Sequence, residues 1–470
     1  MKKSVILLLI IVVSTMMVGC EKNTTISKTE KVTTNTTKKE DTTTMKNYYE
    51  PKTEVDEVVI EDLKASFNFF WETQNHDTKS MGCGLAPDRV EVITGRVKSS
   101  ASIASVGYAL AAIPIGVSHE WISKEEGYKR ALESLTSLEK LDRVMGFYYH
   151  FYNIYSGIKQ AGSEVSIIDT AIFLNGALIV GKFFGGEVEK IANRIYEDVV
   201  WTWYYDKDAI EFYMGYDGNI GKFSGHWTQY SEQLMIFILA AGSPNYPVGR
   251  QSYTLMKGIS KMASKTNDYD SFMMSGTSSL FVYQYSHAFF DSKKYVDEKG
   301  FSWYENSVNA SKAAYSYAQL QASNYLTCSE NSWGFSACDG PNGYNGAYGS
   351  GPSGGGHQVD GTVCLSAAPA SIVFTEKESL AALKYYRNNP KLWCKYGLID
   401  SYNLGTTKTF TNDKISIPDG GWYGSDLIGI DKGNELMMLE NYYSSLIWNI
   451  YQDITYVSDG LTVLGFKKVE

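Results

Sequence analysis

Apolar residues recur at helical spacing along most of the chain from about residue 56 onward. Val59, Leu63 and Phe67 are four residues apart and therefore lie on one face of a helix. Ser123 followed by Glu126 has the spacing of a capping box, in which each residue satisfies a free amide at a helix start. These patterns predict one helix after another, with few signals for strands.

Two kinds of helix are predicted. The run 166–184 is apolar on nearly every side, which is typical of a buried helix, while Asp169 and Lys182 argue against a membrane span. Further helical patterns cover 187–204, 229–240, 306–325, 376–387 and 433–453. We see no sequence repeat of 20–50 residues. A succession of apolar and amphipathic helices predicts an all-α fold, an (α/α)6 toroid over residues 56–470 whose loops at one rim build the site.

The first 55 residues differ from the rest. Lys2 and Lys3 precede the apolar run 5–13, and Met17-Val18-Gly19-Cys20 resembles the lipobox of a bacterial lipoprotein. We therefore expect a signal peptide over 1–19 and acylation of Cys20, although an ordinary signal peptide with an incidental cysteine is the alternative. Residues 20–55 are rich in Thr and Lys, which predicts a disordered tether. The expected location is extracytoplasmic, with a lipid anchor as the only contact with the membrane.

Composition narrows the ligand class. The net charge of −9 argues against a nucleic-acid surface, and only seven arginines argue against a polyanionic polysaccharide. The aromatic content of 14% suits a sugar-binding cleft, although tyrosine also fills helix interfaces. Five cysteines follow Cys20, so at least one thiol should be free; Cys328 and Cys338 are near enough in sequence to pair. No cysteine pair has a histidine at zinc spacing, so we expect neither a metal nor another cofactor.

Acids, aromatics and glycines cluster in several segments that a helical core would not require. These segments are 84–89, 146–151, 163–170, 227–232, 337–341, 360–362 and 440–442. Loops held by a rigid scaffold commonly carry binding and catalytic residues. The candidate chemistry is therefore expected in these segments.

Several of these strings resemble a known family. SIASVGYAL (102–110), GFYYHF, SEVSIIDTA, GSPNYPV (242–248), ACDGPNGY (337–344), DGTV, AAPAS, ESLAAL and ENYYSSLIWNIY occur in the order found in the bacterial glucoamylase-like domain of glycoside hydrolase family 144. The resemblance spans roughly residues 58–468. It implies an (α/α)6 fold, an inverting mechanism and activity on β-1,2-glucan, either as an endo-β-1,2-glucanase or as an exo-acting enzyme that releases sophorose.

An inverting hydrolase needs a protonated carboxyl and a carboxylate that activates water, about 6.5–9.5 Å apart. Glu164 precedes an apolar helix, where desolvation would raise its pKa and suit a proton donor; the alternative is a helix-start acid whose pKa the helix dipole lowers. Asp339 and Asp360 flank a glycine-rich loop that could close over substrate. We assign the base to Asp339 before Asp360, although Asp339 could simply cap a turn. The family resemblance also allows a proton relay through a substrate hydroxyl.

Other residues are expected to bind substrate. Asp88 and Arg89 could bracket vicinal hydroxyls or form a surface ion pair, and His150 could donate to a sugar or be a core histidine. The candidate stacking platforms are Trp227, Tyr230 and Trp333. Asp169, Glu232 and Glu440 lie in or beside helices with aromatic neighbours, and each is a substitute candidate for the acid or the base.

Three functions remain open from sequence. The first is hydrolysis of a neutral β-glucan or gluco-oligosaccharide by a monomeric enzyme. The second is a non-catalytic glycan-capture lipoprotein, which needs aromatic platforms but no matched acids. The third is a polysaccharide lyase on the same fold, which needs a basic subsite for uronate, and the scarcity of arginine argues against it.

Overall fold

A computed structural model describes residues 46–407 and 416–469. The predicted signal peptide, the acylation of Cys20 and most of the predicted tether lie outside these residues. The described helices are α1 Glu57–Thr73, α2 Ile103–Ser118, α3 Lys124–Leu138, α4 Ile167–Phe184, α5 Gly186–Glu197, α6 Leu234–Ala241, α7 Gln251–Ile259, α8 Trp303–Gln321, α9 Glu376–Arg387, α10 Gly429–Ser444, α11 Leu446–Tyr451 and α12 Thr455–Leu464. Short 3₁₀ turns occur at Trp201–Trp203, Leu280–Tyr283, Ser292–Lys294 and Pro369–Ser371.

Short strands connect these helices. They are β1 Arg89–Glu91, β2 Ser100–Ser102, β3 Arg143–Val144, β4 Phe147–Tyr148, β5 Phe151–Asn153, β6 Val165–Ser166, β7 Tyr205–Asp206, β8 Glu211–Asp217, β9 Lys222–His226, β10 Tyr295–Val296, β11 Cys338–Gly340, β12 Gly343–Asn345, β13 Val363–Cys364, β14 Trp393–Cys394, β15 Gly397–Leu398, β16 Ser401–Asn403, β17 Trp422–Tyr423, β18 Asp426–Ile428 and β19 Lys467–Lys468. The prediction of an all-α fold is therefore too simple. Most strands are two or three residues long, which is too short for an alternating pattern to be visible in the sequence.

The helices divide by burial as the sequence pattern indicates. Nearly every residue of α2, α4, α6 and α10 is buried, whereas α3, α5 and α9 bury only one face. Helices α2 and α4 meet backbone to backbone, since a Cβ atom on Gly176 would lie 1.9 Å from the Gly107 carbonyl oxygen. By length and composition α4 could cross a membrane, but most of it is buried within the protein, as a core helix is.

The helix starts follow local sequence rules. Ser123 and Glu126 form the predicted capping box at the start of α3. At the start of α4, the Ser166 hydroxyl accepts a hydrogen bond from the Asp169 amide at 3.2 Å. These caps fix the points at which loops become helices.

Three strands lead directly into buried helices, so that their loops collect at one side of the molecule. Strand β2 precedes α2 and pairs with β5, with Ser102 opposite Phe151. Strand β6 precedes α4 and pairs with β8, while β18 precedes α10 and pairs with β1, with Arg89 opposite Ile428. All of these pairings are antiparallel. These strand pairs thereby hold segments distant in sequence beside the N-terminal ends of the buried helices.

All five cysteines that follow residue 45 are free thiols in the structure. Cys338 does not pair with Cys328; its neighbour is Cys364, with which it forms a side-chain hydrogen bond. Strands β11 and β13 bring these two thiols together, although they are far apart in the sequence.

Candidate active site

Charged side chains from seven segments lie near the N-terminal ends of the buried helices. Asp88 interacts electrostatically with Arg89, His150, Asp169 and Asp339. The remaining members are Glu164 before β6, Glu232 before α6, Asp400 before β16 and Asp431 in the first turn of α10. We call this set the carboxylate cluster.

Arg89 connects three of the acids around the cluster. One of its terminal nitrogens lies 2.5 Å from Asp339 Oδ2 and 3.6 Å from Asp426 Oδ2, and its Nε lies 3.4 Å from Asp88 Oδ2. Burial opposes the charge on Arg89, but its bond to Asp339 prevails and raises the pKa of the guanidinium. Burial also raises the pKa of Asp88. The predicted pair Asp88–Arg89 therefore belongs to a half-buried network and is not an isolated surface ion pair.

His150 bridges two of the predicted acids. Its Nδ1 lies 2.8 Å from Glu164 Oε1 and its Nε2 lies 3.7 Å from Asp169 Oδ2, while its ring stacks on Phe151. Burial disfavours the imidazolium, but Asp169 and Glu164 outweigh it and raise the pKa of His150 to about 9. The hydrogen bond from His150 in turn lowers the pKa of Glu164. The pKa of Glu164 is therefore not raised as its position before an apolar helix had predicted. The prediction is wrong because the sequence does not show that His150 lies beside Glu164 as a cation.

Glu232 has the opposite environment. Its carboxylate accepts a hydrogen bond from the Ser231 hydroxyl, and its side chain is only partly exposed. Burial raises the pKa of Glu232, and the negative charge of Asp169 raises it further. Glu232 and Asp88 are thus the members of the predicted set whose pKa burial raises, and Glu232, unlike Asp88, has no cation beside it that lowers its pKa.

The backbone of Asp339 is hydrogen-bonded to two residues that were not predicted from the sequence. The Asp339 amide donates to Asp400 Oδ2 at 2.9 Å, and the Ser401 hydroxyl donates to the Asp339 carbonyl oxygen at 2.6 Å. Asp400 itself contacts Asp431. The available sequence signal was a lone acid within each of two apolar segments, 398–400 and 428–431.

Asp360 stabilises the glycine-rich loop through hydrogen bonds. Its carboxylate accepts hydrogen bonds from the Tyr348 hydroxyl and from the Thr362 amide, the latter at 2.8 Å. The loop itself is fixed, since the amides of Gly354 and Gly355 donate to the carbonyls of residues 275 and 276 at 2.8 and 2.7 Å. The expectation of a loop that closes over substrate is therefore not supported by its packing.

The prediction of three aromatic stacking platforms is wrong. Trp227, Tyr230 and Trp333 are 6%, 3% and 0% exposed, so none presents a ring face to a sugar. Tyr230 stacks on Trp303 with ring centroids 4.8 Å apart. Near the cluster, Tyr344 is an exposed alternative that lies 6.0 Å from the Arg89 guanidinium. Aromatic residue type alone did not separate core from surface.

Glu440 is also misassigned as a binding residue. It lies in the last turns of α10, whereas the carboxylate cluster lies at the beginning of that helix. Its carboxylate is buried, accepts a hydrogen bond from Ser444 and lies 2.7 Å from His119 Nε2. Glu440 therefore belongs to the packing at the opposite end of the helix.

Within residues 46–407 and 416–469, no three His, Cys, Asp or Glu side chains are grouped as potential ligands of a metal ion. The expectation of no metal and no cofactor stays a prediction. The cluster's own groups are carboxyls, one imidazole and one guanidinium, which can move protons and hold hydroxyl groups.

Comparison with known proteins shows which family this chain resembles. The family model described as "Glycoamylase: Putative glucoamylase" matches residues 224–455. Over these residues, just under half of the chain, the protein is similar to the glucoamylase-like family. The resemblance to glycoside hydrolase family 144 seen in the sequence is thereby confirmed.

One curated protein to which this chain is similar is the exo-β-1,2-glucooligosaccharide sophorohydrolase (non-reducing end) of Parabacteroides distasonis. The two are 25% identical over 438 residues, which cover 85% of this chain and 56% of the relative. This chain therefore spans little more than half the length of that relative.

Solved structures show the same fold. An endo-β-1,2-glucanase from Chitinophaga pinensis superposes with a TM-score of 0.76 at 22% identity and covers 88% of this chain and 99% of its own. A β-1,2-glucanase from Parabacteroides distasonis gives a TM-score of 0.74 at 22% identity, covering 88% of this chain and 60% of its own. The helix-rich fold is thus that of these glucanases.

Proposed function

We propose that this protein is an inverting glycoside hydrolase that cleaves β-1,2-glucan or its oligosaccharides. The observation that carries the proposal is the carboxylate cluster, which combines a carboxyl of raised pKa, Glu232, with charged neighbours around Arg89 and His150. The names of the sophorohydrolase relative and of the glucanases of the same fold support β-1,2-glucan as substrate. Both endo and exo action are compatible with this proposal.

The proton donor is proposed to be Glu232 in preference to Glu164. A general acid must hold its proton near the working pH. Burial raises the pKa of Glu232, whereas the hydrogen bond from His150 lowers that of Glu164. Glu164 and His150 are better suited to orient substrate hydroxyl groups, because Glu164 is an ionised hydrogen-bond acceptor and His150 is a cationic hydrogen-bond donor.

The base is proposed to be Asp339, as the sequence reading has it. Its backbone is fixed by Asp400 and Ser401, and its carboxylate is oriented by Arg89. Asp360 is the weaker candidate, because its carboxylate is bonded to Tyr348 and Thr362 beside the glycine-rich loop, whereas that of Asp339 is bonded to Arg89 of the carboxylate cluster. A fixed carboxylate can orient the attacking water without rearrangement.

The finer architecture and the location of the protein are also proposals. The alternation of all-buried and one-face-buried helices supports an (α/α)6 toroid with the cluster at one rim. The lipobox-like string at 17–20 supports a lipid-anchored, extracytoplasmic enzyme, and a monomer is expected. Loss of the protein from the membrane fraction in Cys20→Ala is the expected result, and its retention there would contradict the anchor.

The function is tested with β-1,2-, β-1,3-, β-1,4- and β-1,6-glucans. We expect reducing ends only from the β-1,2 polymer or its oligosaccharides, with the α-anomer formed first because water attacks opposite the leaving group. A glycan-capture protein would bind without releasing reducing ends, and a lyase would give an unsaturated product that absorbs ultraviolet light. Turnover of another linkage with none on β-1,2 substrates contradicts the assignment.

The roles are tested by the isosteric pair Glu232→Gln and Glu164→Gln. Loss of the donor should lower kcat about 10²–10⁴-fold, with largely retained activity on a substrate with an activated leaving group. Glu164→Gln should mainly raise KM. Near-normal kcat in Glu232→Gln, together with a large loss in Glu164→Gln, returns the acid role to Glu164.

A further inference from the structure

Two buried carboxyls lie side by side behind Asp339. Asp400 immediately precedes β16, and Asp431 lies in the first turn of α10. Their exposed fractions are 4% and 6%. The two side chains lie within hydrogen-bonding reach of each other, but two ionised carboxylates can only accept hydrogen bonds.

The hydrogen bonds around Asp400 indicate where a proton must be. Its Oδ2 accepts from the Asp339 amide at 2.9 Å and from the Ser401 hydroxyl at 3.0 Å. Within the part of the chain that the structure describes, Asp400 Oδ1 and Asp431 Oδ2 have no donor. A buried acceptor without a donor is costly, and a proton held by one of these neighbouring carboxyls and donated to the other would remove that cost.

We infer that Asp400 is a positioning residue: it shares one proton with Asp431 through Oδ1 and, through Oδ2, fixes the backbone of Asp339. This inference deepens the proposed function, since it concerns the placement of the proposed base. It assigns Asp400 no contact with substrate.

The surroundings of the pair favour one shared proton over two charges. The groups that interact electrostatically with the pair are Arg89, Asp339, Cys338, Cys364, Tyr108, Tyr285 and Tyr344. Burial, followed by the charge of Asp339, raises the pKa of Asp400. Arg89 is the one cation of this group, and its bond at 2.5 Å is to Asp339.

The first test compares Asp400→Asn with Asp400→Leu. Asparagine supplies an oxygen for the Asp339 amide and an NH₂ group that donates to Asp431, so kcat should stay within about threefold of the wild type. Leucine supplies neither group, so Asp339 is displaced and kcat should fall about 10–100-fold while KM changes little. Equal losses in the two variants would overturn the positioning role.

The second test measures the shared proton independently of catalysis. Between the unfolded and the raised folded pKa, the folded wild type binds one more proton than the unfolded chain, so its unfolding equilibrium constant should rise about tenfold per pH unit. In Asp400→Asn this contribution should be absent, because an amide does not titrate. Parallel pH dependence of unfolding in wild type and Asp400→Asn would overturn the shared proton.

A matched control is Asp297→Asn, another buried aspartate, which bonds to Lys257 and Tyr253 away from the cluster. It should alter stability but leave kcat unchanged. If Asp400→Asn does not fold, isotope-edited infrared spectroscopy of the wild type and of Asp431→Asn provides the readout. With only the aspartates isotope-labelled, so that Glu232 does not contribute, the shifted band of a protonated aspartic acid should be present at neutral pH in the wild type and weaker in Asp431→Asn. An equal band in the two proteins, or no such band in the wild type, would overturn the proposal.

The two proposals fail in distinguishable ways. A wild type that hydrolyses none of the glucans contradicts the proposed function, yet the pH dependence of unfolding still tests the proton pair. Conversely, an active wild type with equally active Asp400→Leu contradicts only the positioning role.

Discussion

Replacing His150 by glutamine tests whether a cation organises the rim of the cluster. The imidazole lies 2.8 Å from Glu164 and 3.7 Å from Asp169. These acids outweigh the cost of burial and raise the pKa of His150 from 6.5 to about 9. Glutamine can replace one hydrogen bond but not the positive charge.

The magnitude follows from this shift. At about 1.4 kcal/mol per pKa unit, it corresponds to about 3 kcal/mol of folding stability. Because the side chain of Glu164 is 44% exposed, solvent screening reduces the expected contribution to about 1–2 kcal/mol. The folded pKa lies above the unfolded one, so this stability is fully present below about pH 6.5 and is lost as the pH rises through about 9.

The assay is urea denaturation of wild type and His150→Gln at several pH values, with linear extrapolation to water. The difference in unfolding free energy should be largest on the acid side of the pKa range and shrink toward alkaline pH. Glu164→Gln is the matched control, and it should reduce the pH dependence only in part because Asp169 remains. A difference that does not change with pH would refute the reasoning that His150 is a cation.

Two further predictions concern packing around the cluster. Lys432→Met should lower the free energy of unfolding by about 3–5 kcal/mol in chemical denaturation, because Asp62 and Glu435 would be left as buried acids without their cation. A change below about 1 kcal/mol would contradict this prediction. Gly340→Ala should lower the melting temperature, since its Cβ would lie 2.2 Å from the Tyr348 hydroxyl oxygen. Adding Tyr348→Phe should restore the melting temperature only in part, because the ring carbons of residue 348 are also close to the new Cβ. An unchanged melting temperature in Gly340→Ala would contradict this contact.

The helices could be read from the sequence because their signals are local. The apolar run at 166–184 becomes buried α4, and Ser123 with Glu126 caps α3, since periodicity and capping depend on residues within one or two turns. The order of the family motifs was equally accessible. The short strands were not, because two or three residues cannot display a period.

Site chemistry depended on contacts between segments remote in sequence. Arg89 and Asp339 are 250 positions apart and Asp339 and Asp400 are 61 apart, yet each pair is in hydrogen-bond contact. Whether Glu164 or Glu232 keeps a proton is decided by a neighbouring cation in one case and by burial in the other. The sequence by itself determined which segments become helices and which carry acids. Only the tertiary structure decided which acids meet and in what charge state, because a pKa depends on distance and burial in space.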